Sequence, residues 1–93
     1  MSNQRKIAKI LKLLAQAKND HLRHELVKLL FTQTELEQLV ARFDIIAGLL
    51  SGQETQRELA ARLQLSIAKI TRGSNELKRS SDELKSLLQG KIV

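Results

Sequence analysis

The side chains of this 93-residue chain that could do chemistry fall into one cluster of metal-ligand type and one run of cations. His21, His24 and Glu25 form the cluster. Two histidines three apart share a helix face, but a closed metal site needs three or four ligands, and the chain has no Cys to supply one. A solvated polar face is the simpler reading, so no metal is expected. No nucleophile–base pair, phosphate loop or carboxylate pair stands out, so no enzyme is expected. The run of cations lies in Thr55 to Lys78, TQRELAARLQLSIAKITRGSNELK. It reads as a short helix, a short turn and a second helix. Leu59, Leu63, Leu65 and Ile70 are spaced to pack the two helices together, and Ala60 is small where they come closest. That is the pattern of a helix-turn-helix, although Gln64-Leu65 lacks the glycine often found in the turn. A major groove admits one helix. The second helix would bring Lys69, Arg72, Lys78 and Arg79 near phosphates.

The elements that must position these residues are all helices. Proline is absent, and glycine occurs only at Gly48, Gly52, Gly73 and Gly90. Leucine dominates, with 18 copies, and Lys, Glu, Gln and Ala are plentiful. Ile7, Ile10, Leu11 and Leu14 make one apolar stripe at helical spacing. Leu22, Leu26, Leu29 and Leu30 make a second, and Leu36, Leu39, Val40, Phe43, Ile46 and Leu50 a third. Asn19-Asp20 breaks the chain, and Thr32 with Glu35 and Thr55 with Glu58 have capping-box spacing. Gly52 is placed to end a helix in the left-handed region, Ser66 caps a fifth helix, and Ser80 or Ser81 caps a sixth. The expected helices span about residues 3–18, 21–30, 33–51, 56–63, 67–79 and 82–90.

Composition excludes several classes. Aromatic residues are only Phe31 and Phe43, which argues against a stacking platform for single-stranded nucleic acid. The many branched aliphatics argue against disorder. No apolar run approaches the roughly 18 residues of a membrane span, and no export signal is visible, so a cytoplasmic protein is expected. The net charge is +6, which suggests a polyanion partner. Residues 1–30 carry +5, residues 31–55 carry −3 and residues 56–93 carry +4. RKIAKILKLLAQAK near the N-terminus is a basic amphipathic helix. Membrane-surface binding is one reading of it. The favoured one puts its apolar face in a dimer core and its lysines in solvent or near DNA.

ITRGSNELK, preceded by QREL, resembles the Trp repressor family of bacteria. The resemblance continues upstream through LLFTQTELEQLVARFDIIAGLLSGQ and covers about residues 22–90. It implies an all-α, six-helix chain that forms an intertwined homodimer. Residues 1–53 and 81–93 would supply the dimer core, and residues 54–79 the DNA-reading head. It implies a repressor of tryptophan biosynthesis or uptake genes, with L-tryptophan as corepressor seated between core and head. The alternative is a regulator of the same fold that is ligand-independent or answers another small molecule. A third reading is a helical interaction module that binds no DNA. Small size agrees with dimerisation, since a 93-residue monomer has a thin core.

The resemblance also assigns residues. Arg42 and Arg72 would sandwich the indole. Arg72 would bind the ligand carboxylate with the Thr32 hydroxyl. The carbonyls of Leu29 and Phe31 would accept from the ammonium, and Gly73 would leave room for the ring. Glu76 stands where a family member has serine, so it would receive the ammonium as a carboxylate, and it is spaced to pair with Arg72. Arg57 would read a guanine edge, with Ile67, Ala68 and Thr71 facing the groove. Gln56, Lys69, Lys78 and Ser74 would hold phosphates. Lys69 replaces a threonine, and Ala60 replaces a lysine of the family pattern.

Overall fold

The computed structural model describes residues 2–92, and all regular structure among them is helical. Six helices follow in order: α1 Asn3–Gln16, α2 Asp20–Leu30, α3 Gln33–Ser51, α4 Gln56–Leu63, α5 Ile67–Arg79 and α6 Asp82–Ile92. α3, α4 and α5 have the expected bounds. α1 stops earlier than expected because Ala17 turns extended, with ψ 128°, and its side chain is buried. α6 runs past Gly90, a residue that a helix tolerates at modest cost.

Polar side chains set the helix starts. Ser2 accepts the Arg5 N–H, and Asn19 accepts that of Leu22 at 2.8 Å. The Thr32–Glu35 and Thr55–Glu58 boxes both close: each threonine hydroxyl accepts the glutamate N–H, and each glutamate carboxylate accepts the threonine N–H. Ser66 and Ser81 accept the N–H groups of Lys69 and Leu84.

The chain packs as two compact units, one ending at Leu36 and one starting at Glu37, so the division falls inside α3. In the first unit α1 and α2 leave an open apolar groove lined by Leu13, Ala17, Leu22, Leu26 and Leu29. The second unit has the tighter core: Ile45, Leu59, Ala60 and Ile70, with Leu49, Leu63 and Leu65 packed against it. Ile70 is 0% exposed and Leu59 1%. Gly48 of α3 makes room for Leu59, since a Cβ there would overlap the leucine side chain. The expected head at 54–79 therefore shares one core with α3 through Ile45 and Leu49.

Candidate nucleic-acid and ligand site

α4 and α5 form the helix-turn-helix, and the turn is built without glycine. Gln64 takes the left-handed conformation, φ 56° and ψ 43°. The Leu65 N–H reaches the Ala60 carbonyl and the Gln64 N–H that of Ala61, the hydrogen-bond pair of a Schellman ending. Leu65 then folds back onto the core that Leu59, Ala60 and Ile70 share. Ala60 is 8% exposed, so this position contributes packing rather than the cation of the family pattern.

The loop before α4 is fastened separately. The Arg62 guanidinium in the last turn of α4 donates through Nε and Nη2 to both oxygens of Glu54, at 2.8 to 2.9 Å. The Arg62 hydrogen bond holds the Glu54 carboxyl below its ordinary value, and Glu54 in turn raises the Arg62 guanidinium. Asp44 on α3 adds to the field on Arg62. Glu58 is also lowered, chiefly by the Thr55 backbone N–H. The sequence reading missed the Glu54–Arg62 pair, because an eight-residue separation across a loop is not a helical spacing.

These devices position the residues expected to face DNA. Gln56 and Arg57 occupy the first turn of α4, where spare backbone N–H groups suit an anion. The Thr71 hydroxyl donates to Gln56 Oε1 at 3.3 Å, which joins the two helices. Arg57, Ala68, Lys69, Thr71 and Lys78 are exposed, and Ile67 is 46% exposed although apolar. Ser74 departs from expectation. It is buried at 9%, on the side of α5 that packs inward, so it is not available to a phosphate. Arg79 is held by Glu76 through Nη1–Oε1 at 3.2 Å.

The residues expected to receive a ligand fall in both units. Leu29, Phe31 and Thr32 end α2 and open α3 in the first unit. Leu29 and Phe31 lie in the last turn and C-cap of α2, where backbone carbonyls run out of intrahelical donors. The Thr32 oxygen accepts the Glu35 N–H, so its hydroxyl hydrogen stays free to donate. Arg42, Arg72, Gly73 and Glu76 belong to the second unit. Arg42 and Arg72 are exposed. Glu76 does not pair with Arg72. Its partner is Arg79, and Arg72 enters no ion pair among the described residues. Gly73 is not open space either. A Cβ there would stand 2.7 Å from Ile45 Cγ2, so the glycine allows α5 to approach α3.

No group of three or more His, Cys, Asp or Glu among the described residues could hold a metal ion. Among those residues no helix is long and apolar enough to cross a membrane.

The chain matches the family described as Trp repressor protein over residues 5–92. Similar proteins carry the name Trp operon repressor homolog. That of Photobacterium profundum is 43% identical over 79 residues, covering 85% of this chain and 77% of its own. That of Vibrio cholerae is 46% identical over 81 residues, covering 86% and 79%. A more distant example from Chlamydia trachomatis serovar L2 is 39% identical over 82 residues, covering 88% and 87%. The match takes in the α1–α2 unit as well as the helix-turn-helix, which isolated helix-turn-helix modules do not share. The chain belongs to the Trp repressor family.

Proposed function

We propose that this chain is a tryptophan-responsive transcriptional repressor that binds operator DNA as a homodimer, with L-tryptophan as corepressor. The observation that carries the reading is the family match over residues 5–92, which spans every helix of the fold and not the head alone. It is a regulator and not an enzyme, as the family is. The targets proposed for it are genes of tryptophan biosynthesis or uptake, and its place of action is the cytoplasm, where that DNA lies.

The residues assigned to DNA are Arg57 for a guanine edge, Ile67, Ala68 and Thr71 for the groove, and Gln56, Lys69 and Lys78 for phosphates. The exposure of all but Gln56, and the Thr71–Gln56 bond, support that assignment. Ser74 is withdrawn from it. The residues assigned to the ligand are Leu29, Phe31, Thr32, Arg42, Arg72 and Glu76, with Gly73 beside them. A planar guanidinium suits both the carboxylate and the indole face. Among the described residues Arg72 enters no ion pair, and Glu76 pairs with Arg79 instead.

Tryptophan acts by shifting a population. It favours the head orientation that fits adjacent grooves only to the extent that it binds that state better. Calorimetric titration with L-tryptophan near neutral pH tests the corepressor, and one saturating ligand per chain is the expected result. No heat at millimolar ligand, at two temperatures, would leave a Trp-repressor fold with another trigger. Arg57→Ala tests the reading face. Operator discrimination should fall by about one base contact, roughly 1–3 kcal/mol, with tryptophan binding intact.

A further inference from the structure

We infer that the basic stripe Arg5, Lys9 and Lys12 of α1 is a second phosphate-contacting surface, separate from the helix-turn-helix, whose partner is the backbone of duplex DNA. The inference rests on the DNA reading above.

Residues 1–19 carry five basic side chains and no acidic one. Within α1 the residues Arg5, Lys9 and Lys12 stand four and three positions apart, so they line one face. Ile7, Ile10, Leu11 and Leu14 line the opposite face at the same spacing. Arg5, Lys9 and Lys12 are exposed, and none enters an ion pair among the described residues. On the apolar side Ile10 and Leu14 are half-buried; Ala17 is buried, and Leu13, Gln16 and Ala17 line the groove shared with α2.

Charge placement along the helices gives a second, independent indication. α2, α3, α4 and α6 all open with a carboxylate in the first turn, at Asp20, Glu35, Glu58, and Asp82 with Glu83. α1 and α5 have none. α5 is the helix assigned to the major groove. α1 goes further and places Arg5 and Lys6 at the end where the helix macrodipole is already positive. That arrangement opposes the isolated helix, and a nearby polyanion relieves it.

Dimensions agree with duplex DNA. Seven residues of helix separate Arg5 from Lys12, a rise of about 10 Å. That length of duplex presents about six phosphate charges at one per ~1.7 Å. A contact of this kind carries no base information. It adds affinity and salt dependence and leaves sequence discrimination to α4 and α5.

The test uses the full chain with Arg5→Gln, Lys9→Gln and Lys12→Gln together, since glutamine keeps helix propensity while removing charge. The probes are a duplex that the wild-type protein enriches from a random pool in the presence of L-tryptophan, and a scrambled duplex of equal length. Affinity is measured across a salt series. Expected is a salt slope shallower by up to about 2.7 per engaged chain, at ~0.9 per phosphate lost. The ratio of selected to scrambled affinity and the tryptophan titration should match wild type. Lys9→Gln alone should give about one third of the slope change. An unchanged slope overturns the inference while leaving the DNA reading intact. An equal change from the off-stripe pair Lys6→Gln and Lys18→Gln also overturns it, because the effect is then diffuse charge. So does an unchanged slope with loss of binding to vesicles of equal phosphatidylglycerol and phosphatidylcholine, which assigns the stripe to lipid. A wild-type protein that enriches no duplex overturns the DNA reading itself, and this inference with it.

Discussion

Gly73 shows how one residue can serve packing where ligand clearance was expected. A Cβ at this position would meet Ile45 Cγ2 at 2.7 Å, and Ile45 is 4% exposed in the core of the second unit. A β-branched side chain is stiff at the first torsion, so Ile45 cannot swing aside cheaply. Overpacking costs about 1–3 kcal/mol, while replacing a mid-helix glycine returns roughly 1. Gly73→Ala should therefore lower the melting temperature without any ligand present. A variant that melts like wild type but no longer binds tryptophan would assign the glycine to ligand clearance alone. The neighbouring acids and bases carry the same lesson about spacing. Glu76 stands four residues after Arg72 and three before Arg79, and both distances suit a helical ion pair. The structure selects Arg79. Spacing narrows the partners to two and does not choose between them. Ser74 was illegible for a similar reason: in RGSN each residue is polar or small, so the sequence alone does not say which side of α5 faces inward.

At the scale of elements, nearly every helix start was legible, because caps are local chemistry. Thr32 with Glu35 and Thr55 with Glu58 need only their own spacing to bond. The helix-turn-helix core was legible too, since Leu59, Leu63, Leu65 and Ile70 fall on facing stripes. The end of α4 was less so, because its left-handed residue is Gln64 where a glycine is usual. A side chain there costs about 1–2 kcal/mol, of which glycine would lose part again to backbone entropy. Gln64→Gly should stabilise the chain by about 1 kcal/mol, read as a melting temperature about 4–8 °C higher. The loop from Gly52 to Thr55 could not be traced from sequence, so its clamp was missed. Glu54 is 22% exposed at the side chain and Arg62 54%, so solvent screens much of the pair. Its pH dependence still has a definite sign. Glu54 and Glu58 titrate below the ordinary carboxylate value of 4.5 in the folded chain. Their stabilisation is complete above that value and is lost as pH falls through the lower, folded one. Glu54→Gln should therefore shift the urea midpoint down at pH 6. The gap between the two midpoints should close as pH falls through the lowered Glu54 value, because the wild-type carboxyl then takes up its proton as well. A gap of the same size at every pH would show that the pair contributes nothing through charge.

The whole molecule poses a burial problem that helix spacing alone does not solve. Apolar stripes on α1, α2 and α3 are plain in the sequence, but a stripe does not say what covers it. Among the described residues five hydrophobic ones are buried, Ala17, Ile45, Leu59, Ala60 and Ile70. Thirteen large hydrophobics among them are exposed, with Leu29 at 81%, Leu11 at 60%, Leu87 at 58% and Phe43 at 54%. Twelve of the thirteen lie on α1, α2, α3 and α6 or at the α2–α3 junction, and α4 and α5 together contribute only Ile67. Chance would spread them over every helix. Ile67 is one of the residues assigned to the groove. The homodimer proposed above would supply a cover for these side chains, since large exposed apolar patches are rare on soluble monomers. Folding and association would then be linked, and the unfolding midpoint should rise with protein concentration. A monomer would show one midpoint at every concentration. Leu87→Lys on α6 separates the two cases further. At 58% exposure, lysine is nearly free of cost in a monomer. In a homodimer built on α6 it places a charge inside the interface. Sedimentation should then show a shift towards monomer at micromolar concentration, with the midpoint falling alongside. A Leu87→Lys chain that sediments and melts as wild type would leave α6 outside the interface.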